Sequence, residues 1–125
     1  MSFDSDYKPP LQPPDWVFGP VWTILYTCLG FSIFITFTQR DAIENSNLLI
    51  AAFALQMALN FSWTAVFNSE QYLLSLTMLI GIIILTSIYA WGVYDAVPTA
   101  SILVWPYIAW VSFASILNVF YLLEA

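Results

Sequence analysis

Residues Tyr72–Tyr94, with the sequence YLLSLTMLIGIIILTSIYAWGVY, decide the fold of this chain. The stretch contains 23 residues and no charged side chain. A helix rises about 1.5 Å per residue, so one of this length crosses a hydrocarbon core about 30 Å thick. A membrane β-strand would alternate apolar and polar residues, but the central segment Leu79–Leu85 (LIGIIIL) does not alternate. Because backbone groups in lipid must bond within a helix or close a barrel, the stretch predicts a transmembrane helix.

Three further apolar stretches have a similar length. They are Trp16–Thr38, Leu48–Phe67 and Ser101–Leu123. All charged residues, two basic and eight acidic, lie outside the four stretches. Short connections make consecutive helices run antiparallel. The connections are Gln39–Asn47, Asn68–Gln71 and Asp95–Ala100. We therefore predict an all-α fold for residues 16–125, an integral membrane up-down bundle of four transmembrane helices in the lipid bilayer of a bacterial-type cell membrane.

The composition excludes several classes of protein. The chain is 61% hydrophobic and 8% charged, whereas a soluble domain is about a quarter charged and a disordered one is poorer in apolar residues. Its net charge of −6 disfavours binding to nucleic acid. The chain has no His and a single cysteine, Cys28, so we expect no intrachain disulfide, no metal site and no obligatory cofactor.

Residues 1–15 differ from the rest of the chain. They contain the pairs Pro9-Pro10 and Pro13-Pro14, which predict an extended surface segment leading to the first helix. No signal-peptide pattern is visible. An even number of spans places both termini on one side of the membrane, but Lys8 and Arg40 balance each other and leave the orientation open.

The second stretch has two contrasting faces. Four of its larger side chains fall within about 60° of one another on a helix, namely Gln56, Asn60, Trp63 and Phe67. Buried amides need partners, so this face should point into the bundle, either as structural glue or as part of a site. The opposite face consists of small residues, which suit either packing within the chain or a homodimer interface. These small residues are Ala51, Ala54, Ala58, Ser62 and Ala65.

Aromatic stripes occur on the first and fourth stretches. Phe18, Trp22 and Tyr26 share a face of the first. The stripe of the fourth is Leu103, Tyr107, Trp110, Ala114, Leu117 and Tyr121, with Asn118 near its edge. Such stripes serve either core packing or an aromatic-walled cavity for a flat apolar ligand. Interfacial belts are expected to account for most of the aromatics near span ends. These aromatics are Trp16, Phe18, Tyr72, Tyr89, Trp91, Tyr94, Trp105, Tyr107 and Tyr121.

Three motifs give the chain a specific resemblance. They are PPDWVFGPVWTILY at Pro13–Tyr26, QMALNFSW at Gln56–Trp63 and WPYIAWVSFASILN at Trp105–Asn118. Their order and spacing resemble those of the tryptophan-rich sensory protein or translocator protein (TspO/MBR) family, and the resemblance covers nearly the whole chain. Members of that family are five-helix membrane proteins, so the chain is expected to correspond to spans two to five.

The resemblance implies a membrane receptor, sensor or transporter-like protein whose small-molecule partner is a tetrapyrrole of the protoporphyrin type. It also implies a homodimer. The departures from the family's sterol-linked motif, such as Val119 at the place of its Tyr, make sterol binding doubtful. The ligand-cavity positions implied by the resemblance, taken together with the helical phases, predict a ligand-binding set. It consists of Pro13, Phe18, Trp22, Tyr26, Gln56, Asn60, Trp63, Trp110, Ala114 and Asn118.

Two alternatives remain open at this point. One is an enzyme that degrades porphyrin by photooxidation, as the resemblance suggests, with Trp22 and Trp110 as oxidisable rings. Ordinary acid–base or nucleophilic catalysis is disfavoured, because the apolar stretches contain no carboxylate, His or Lys. The other is a structural or interaction subunit that has lost ligand binding. A proton-coupled exporter ranks below both, because it would need a membrane-buried carboxylate.

Overall fold

The structure, a computed structural model, describes residues 15–124. Four long helices and one short 3-10 helix, Arg40–Ala42, make up this part of the chain, which contains no β-strand. The long helices are α1 (Asp15–Thr38), α2 (Ser46–Asn68), α3 (Tyr72–Tyr94) and α4 (Pro98–Glu124). Each is long and apolar enough to cross a membrane, which confirms the predicted all-α membrane bundle. The proline-rich segment lies outside the described residues, except that Asp15 begins α1.

Two helices begin at least two residues earlier than the apolar stretches indicated. α2 starts at Ser46 rather than Leu48, and α4 starts at Pro98 rather than Ser101. Proline suits the first position of a helix, because its fixed φ is helical and its missing N–H has no intrahelical acceptor there. Pro98 therefore belongs to α4, and the connection from α3 shortens to Asp95–Val97.

The helices pack in a ring in the order α1, α4, α3, α2. α3 has the most extensive contacts, with α2 on one side and α4 on the other, and α1 packs mainly against α4. At Gly92 of α3 the packing against α2 is tight, because an added Cβ would lie 2.5 Å from Leu49 Cδ2. α1 and α2 touch over few residues, so the seam between them is the loosest in the ring.

Three tyrosines that were expected in interfacial belts are buried instead. Tyr89 and Tyr107 have no exposed surface, and Tyr121 is almost fully buried. The belt interpretation is also wrong for Phe18, which is buried. By contrast, Trp16 is 75% exposed and Trp91, Tyr94 and Trp105 are also exposed, as belt residues should be. Tyr89 and Tyr107 depart from the belt pattern because their hydroxyls form hydrogen bonds inside the bundle.

Candidate functional site

A chain of hydrogen bonds crosses the centre of the bundle. The Tyr26 hydroxyl of α1 donates to Asn60 Oδ1 of α2 at 2.5 Å. Asn60 Nδ2 donates to the Tyr107 hydroxyl of α4 at 2.9 Å, and that hydroxyl donates to Gln56 Oε1 at 2.7 Å. Gln56, Asn60 and Tyr107 are buried. The two amides of α2 therefore face the interior, and a central polar network joins three helices.

Two nitrogen donors beside this network lack an acceptor. Among the described residues, Gln56 Nε2 and Trp22 Nε1 are buried and make no hydrogen bond. A buried donor without a partner costs about 1–3 kcal/mol. Unsatisfied buried groups are rare in native proteins. Each one calls for an explanation, such as a functional role or a water, ion or ligand that binds there. Each of these two N–H groups would therefore be stabilised by an acceptor from outside the chain.

Aromatic rings of α1 and α4 lie against the central polar network. The Trp22 ring lies 5.2 Å from that of Tyr26, 6.1 Å from that of Tyr107 and 6.4 Å from that of Trp110, measured between centroids. The last two contacts are edge-to-face, as is the contact of Phe18 with Trp110 at 5.8 Å. Trp110 is half-buried, whereas Phe18 and Trp22 are buried. We call Phe18, Trp22, Tyr26, Tyr107 and Trp110 the interior aromatic cluster.

The remaining predicted residues are distributed more widely. Trp63 is fully buried and stacks on Phe67 at 4.8 Å, and Phe67 in turn meets Tyr72 and Tyr121. Ala114 is buried on α4, one turn beyond Trp110. Pro13 lies outside the described residues.

Asn118 is occupied within the bundle rather than aimed at a ligand. Its Oδ1 accepts from the Ser75 hydroxyl at 2.8 Å, and its Nδ2 donates to the Tyr72 carbonyl at 2.9 Å. Both partners belong to the first turn of α3. The carboxamide therefore ties α4 to α3, and the structure does not bring it to the interior aromatic cluster.

The small face of α2 is exposed on the outside of the bundle. Its members are Ala51, Ala54, Ala58, Ser62 and Ala65. Within the described part of the chain these residues are not covered by another helix, so the alternative of packing inside the chain does not hold. The homodimer interface stays a prediction.

Two groups of residues were not singled out from the sequence. Tyr107 was noted only as a member of a stripe and of an interfacial belt, yet its hydroxyl connects both amides. Tyr89 shares hydrogen bonds with Ser32 at 2.9 Å and Thr36 at 2.6 Å, and Ser32 donates to the Ala100 carbonyl at 2.6 Å. The spacing of Ser32 and Thr36, one helical turn apart, was the available signal for this second network.

The chemistry of the site is that of binding. Neutral amides, hydroxyls and indole N–H groups surround aromatic faces, and no group of three His, Cys, Asp or Glu side chains gathers in residues 15–124 to hold a metal. Such a site suits a flat, largely apolar molecule that carries a few hydrogen-bond acceptors.

The fold and the site together define a multi-pass α-helical membrane protein with an aromatic interior around a neutral polar centre. Residues 2–123 match the TspO/MBR family, and the chain belongs to that family. It is 37% identical over 123 residues to the tryptophan-rich protein TspO of Archaeoglobus fulgidus, an alignment that covers 94% of this chain and 76% of that protein.

Two further relatives extend this similarity. The translocator protein of Homo sapiens is 32% identical over 116 residues, covering 89% of this chain and 67% of that protein. The tryptophan-rich sensory protein of Cereibacter sphaeroides is 30% identical over 118 residues, covering 93% of this chain and 72% of that protein. Family membership supports a role of the membrane sensor or receptor type for this integral membrane protein.

Proposed function

We propose that this protein is a membrane receptor or sensor, or a transporter-like protein, for a tetrapyrrole of the protoporphyrin type. The observation that carries the proposal is the pair of buried donors without acceptors, Trp22 Nε1 and Gln56 Nε2, beside the interior aromatic cluster. A porphyrin offers a large flat ring for the aromatic faces and carboxylates that accept hydrogen bonds.

The seam between α1 and α2 is the proposed entry route. It is the loosest seam in the ring, and the Tyr26 ring lies on it 6.1 Å from that of Phe61, which is exposed. The rings of the interior aromatic cluster pack against one another, so a ligand must displace some of them. Trp110 suits this movement, because it is only half-buried. The displaced rings would then stack on the porphyrin rather than on each other.

A protoporphyrin titration of the purified protein in detergent tests the proposal, with tryptophan fluorescence and the porphyrin absorption band as readouts. Wild type should show saturable quenching at low micromolar ligand, and Trp22→Phe should bind about tenfold more weakly because it loses the unpartnered N–H and stacking area. Trp16→Phe is the matched control, since Trp16 lies on the same helix but is exposed. Linear quenching that is the same in all three proteins would indicate partitioning into micelles and refute the proposal.

Photooxidative breakdown of the bound porphyrin is a second candidate function. It is favoured by the close approach of two oxidisable rings, Trp22 and Trp110, at 6.4 Å. Under light and oxygen, the protein should form a defined product more slowly with Trp22→Phe or Trp110→Phe than with Trp16→Phe. Equal breakdown in detergent without protein would exclude this activity.

The exposed small face of α2 supports a further proposal, that two copies of the chain associate through it. Small residues let two helix backbones approach closely in lipid.

A further inference from the structure

A second recess lies on the outer surface of the bundle, where α3 ends and α4 begins. It is a groove of about 550 Å³ between the two helices, and its wall includes Trp91, Tyr94 and Trp105. A shallower depression of about 410 Å³ continues it along α3, past Ile88 to Ile84. No member of the interior aromatic cluster lines either recess, so this outer groove is separate from the proposed tetrapyrrole site.

The outer groove runs from the membrane surface into the hydrocarbon region. Asp95 lies at its upper end, directly after α3. Ile84 is eleven residues earlier, which places it about 16 Å deeper at a rise of about 1.5 Å per residue. This depth is close to the middle of a core about 30 Å thick. The groove therefore has a polar mouth and a long apolar floor, the shape of an amphiphile with one chain.

Hydrogen bonds hold Trp105, one of the aromatic residues at the mouth of the groove, in place. The Trp105 indole N–H donates to Ser101 Oγ at 3.2 Å, and the Ser101 hydroxyl donates to the Ala90 carbonyl at 2.8 Å. The Trp105 ring is nearly parallel to that of Tyr94, with 9° between the planes and 6.3 Å between centroids. Trp91 is 88% exposed at the same mouth. Three aromatic rings thus line the mouth of the outer groove.

The mouth of the outer groove carries negative charge. The exposed carboxylate of Asp95 is the charged group of the groove, and its lining contains no basic residue. Arg40, the basic side chain of the described region, makes its contacts elsewhere. Its guanidinium lies over the Phe37 ring, with Cζ 4.5 Å from the ring centroid, and donates a hydrogen bond to the Phe37 carbonyl. Aromatic faces and a carboxylate together are the pattern that binds quaternary ammonium groups.

We propose that the outer groove binds a membrane amphiphile with a quaternary ammonium head and a hydrocarbon chain. The head lies between Asp95 and the rings of Trp91 and Trp105, and the chain follows the isoleucines of α3 toward the bilayer centre. A phosphocholine lipid fits less well, because its phosphate would approach the Asp95 carboxylate with no cation of the groove to balance it. This occupant differs from a tetrapyrrole, and the proposal stands independently of the interior site.

The test uses spin-labelled probes and the full chain reconstituted in bilayers of a neutral glycolipid. Three probes share one labelled chain and differ in the head, which is trimethylammonium, phosphocholine or hydroxyl. Electron spin resonance measures the motionally restricted fraction, which gives the association of each probe relative to the host lipid. We expect the trimethylammonium probe to associate about fivefold more strongly than the hydroxyl probe.

Matched variants separate a site from general surface charge. Asp95→Asn should abolish the preference, while Asp41→Asn should keep it, since Asp41 is exposed at the same end of the bundle but outside the groove. Ser87→Trp should fill the groove and exclude all three probes from it, whereas Thr77→Trp on the exposed surface of the same helix should not. Circular dichroism checks that each variant stays helical.

Two results would overturn the proposal. The first is an equal loss of preference in Asp95→Asn and Asp41→Asn, which would show that the probe senses only the surface charge. The second is equal association of all three probes with the wild type.

Discussion

Removing the hydroxyl of Tyr107 is the sharpest test of the central polar network. In Tyr107→Phe, Gln56 Oε1 loses the donor at 2.7 Å and Asn60 Nδ2 loses the acceptor at 2.9 Å. Gln56 Nε2 already lacks a partner, so the whole Gln56 amide would become unsatisfied. The ring of Tyr107 keeps its packing, so the change isolates the hydrogen bonds.

The expected cost follows from these two bonds. Hydrogen bonds between membrane helices average about 0.6 kcal/mol each, which gives a lower estimate of about 1.2 kcal/mol. Leaving a buried polar group unsatisfied costs about 1–3 kcal/mol, which sets the upper estimate near 3 kcal/mol. We expect Tyr107→Phe to lower the free energy of unfolding by about 1.5–2 kcal/mol.

The assay is reversible unfolding in mixed micelles of a mild detergent and dodecyl sulfate, followed by circular dichroism. Tyr94→Phe is the control, because Tyr94 is about half exposed and lies outside the network. In the double variant Gln56→Leu/Tyr107→Phe, the unsatisfied Gln56 amide is removed but Asn60 Nδ2 still lacks its acceptor, so about half of the loss should be recovered. The reasoning is refuted if Tyr107→Phe costs no more than Tyr94→Phe, or if the double variant is as unstable as the sum of the single changes.

The other predictions concern separate parts of the bundle. Tyr89→Phe should lower the free energy of unfolding by about 1–2 kcal/mol in the same assay, because its hydroxyl shares hydrogen bonds with two α1 residues; a cost equal to that of Tyr94→Phe would contradict this. Asn118→Leu should destabilise the bundle by about 1–2 kcal/mol but leave protoporphyrin affinity within twofold of wild type, since its amide is used between helices; a tenfold loss of affinity would place it in the site. Gly92→Val should cost about 1–3 kcal/mol because the buried Leu49 side chain, which a Cβ would meet, must shift, and wild-type stability would show that Leu49 moves aside without cost. Ala58→Leu should shift the protein from dimer to monomer in sedimentation equilibrium, with Thr77→Leu on α3 as control, and an unchanged dimer would exclude this face as the interface.

The aromatic and amide stripes show how far helical phase reaches toward the site. Gln56 and Asn60 lie on one face of α2, and an unpaired amide in lipid is costly. This was enough to predict that both amides face the interior, where the structure places them. Helical phase also predicted that Trp22 and Trp110 face the same interior, and their rings contact each other there. It did not separate Asn118 from them, because a position on one helix does not tell which neighbouring helix supplies the hydrogen-bond partner.

Tyrosines near the ends of spans show the opposite case. Tyr89 and Tyr107 lie near the ends of their spans and are of a residue type common in interfacial belts, yet both are buried. Their burial depends on hydroxyl or amide partners that lie at least 47 residues away along the chain. A pattern within one stretch contains no information about such partners.

The amino-acid sequence by itself determined the number of spans, their helical nature and the class of protein. The physical reason is that lipid offers no hydrogen bonds, so every backbone group is satisfied within its own stretch and the outcome is local. Only the tertiary structure decided the order of the helices, the loose seam between α1 and α2, the central polar network and the outer groove between α3 and α4. These features depend on how each helix is rotated against its neighbours. That rotation is set by the packing and hydrogen bonding of side chains from different helices.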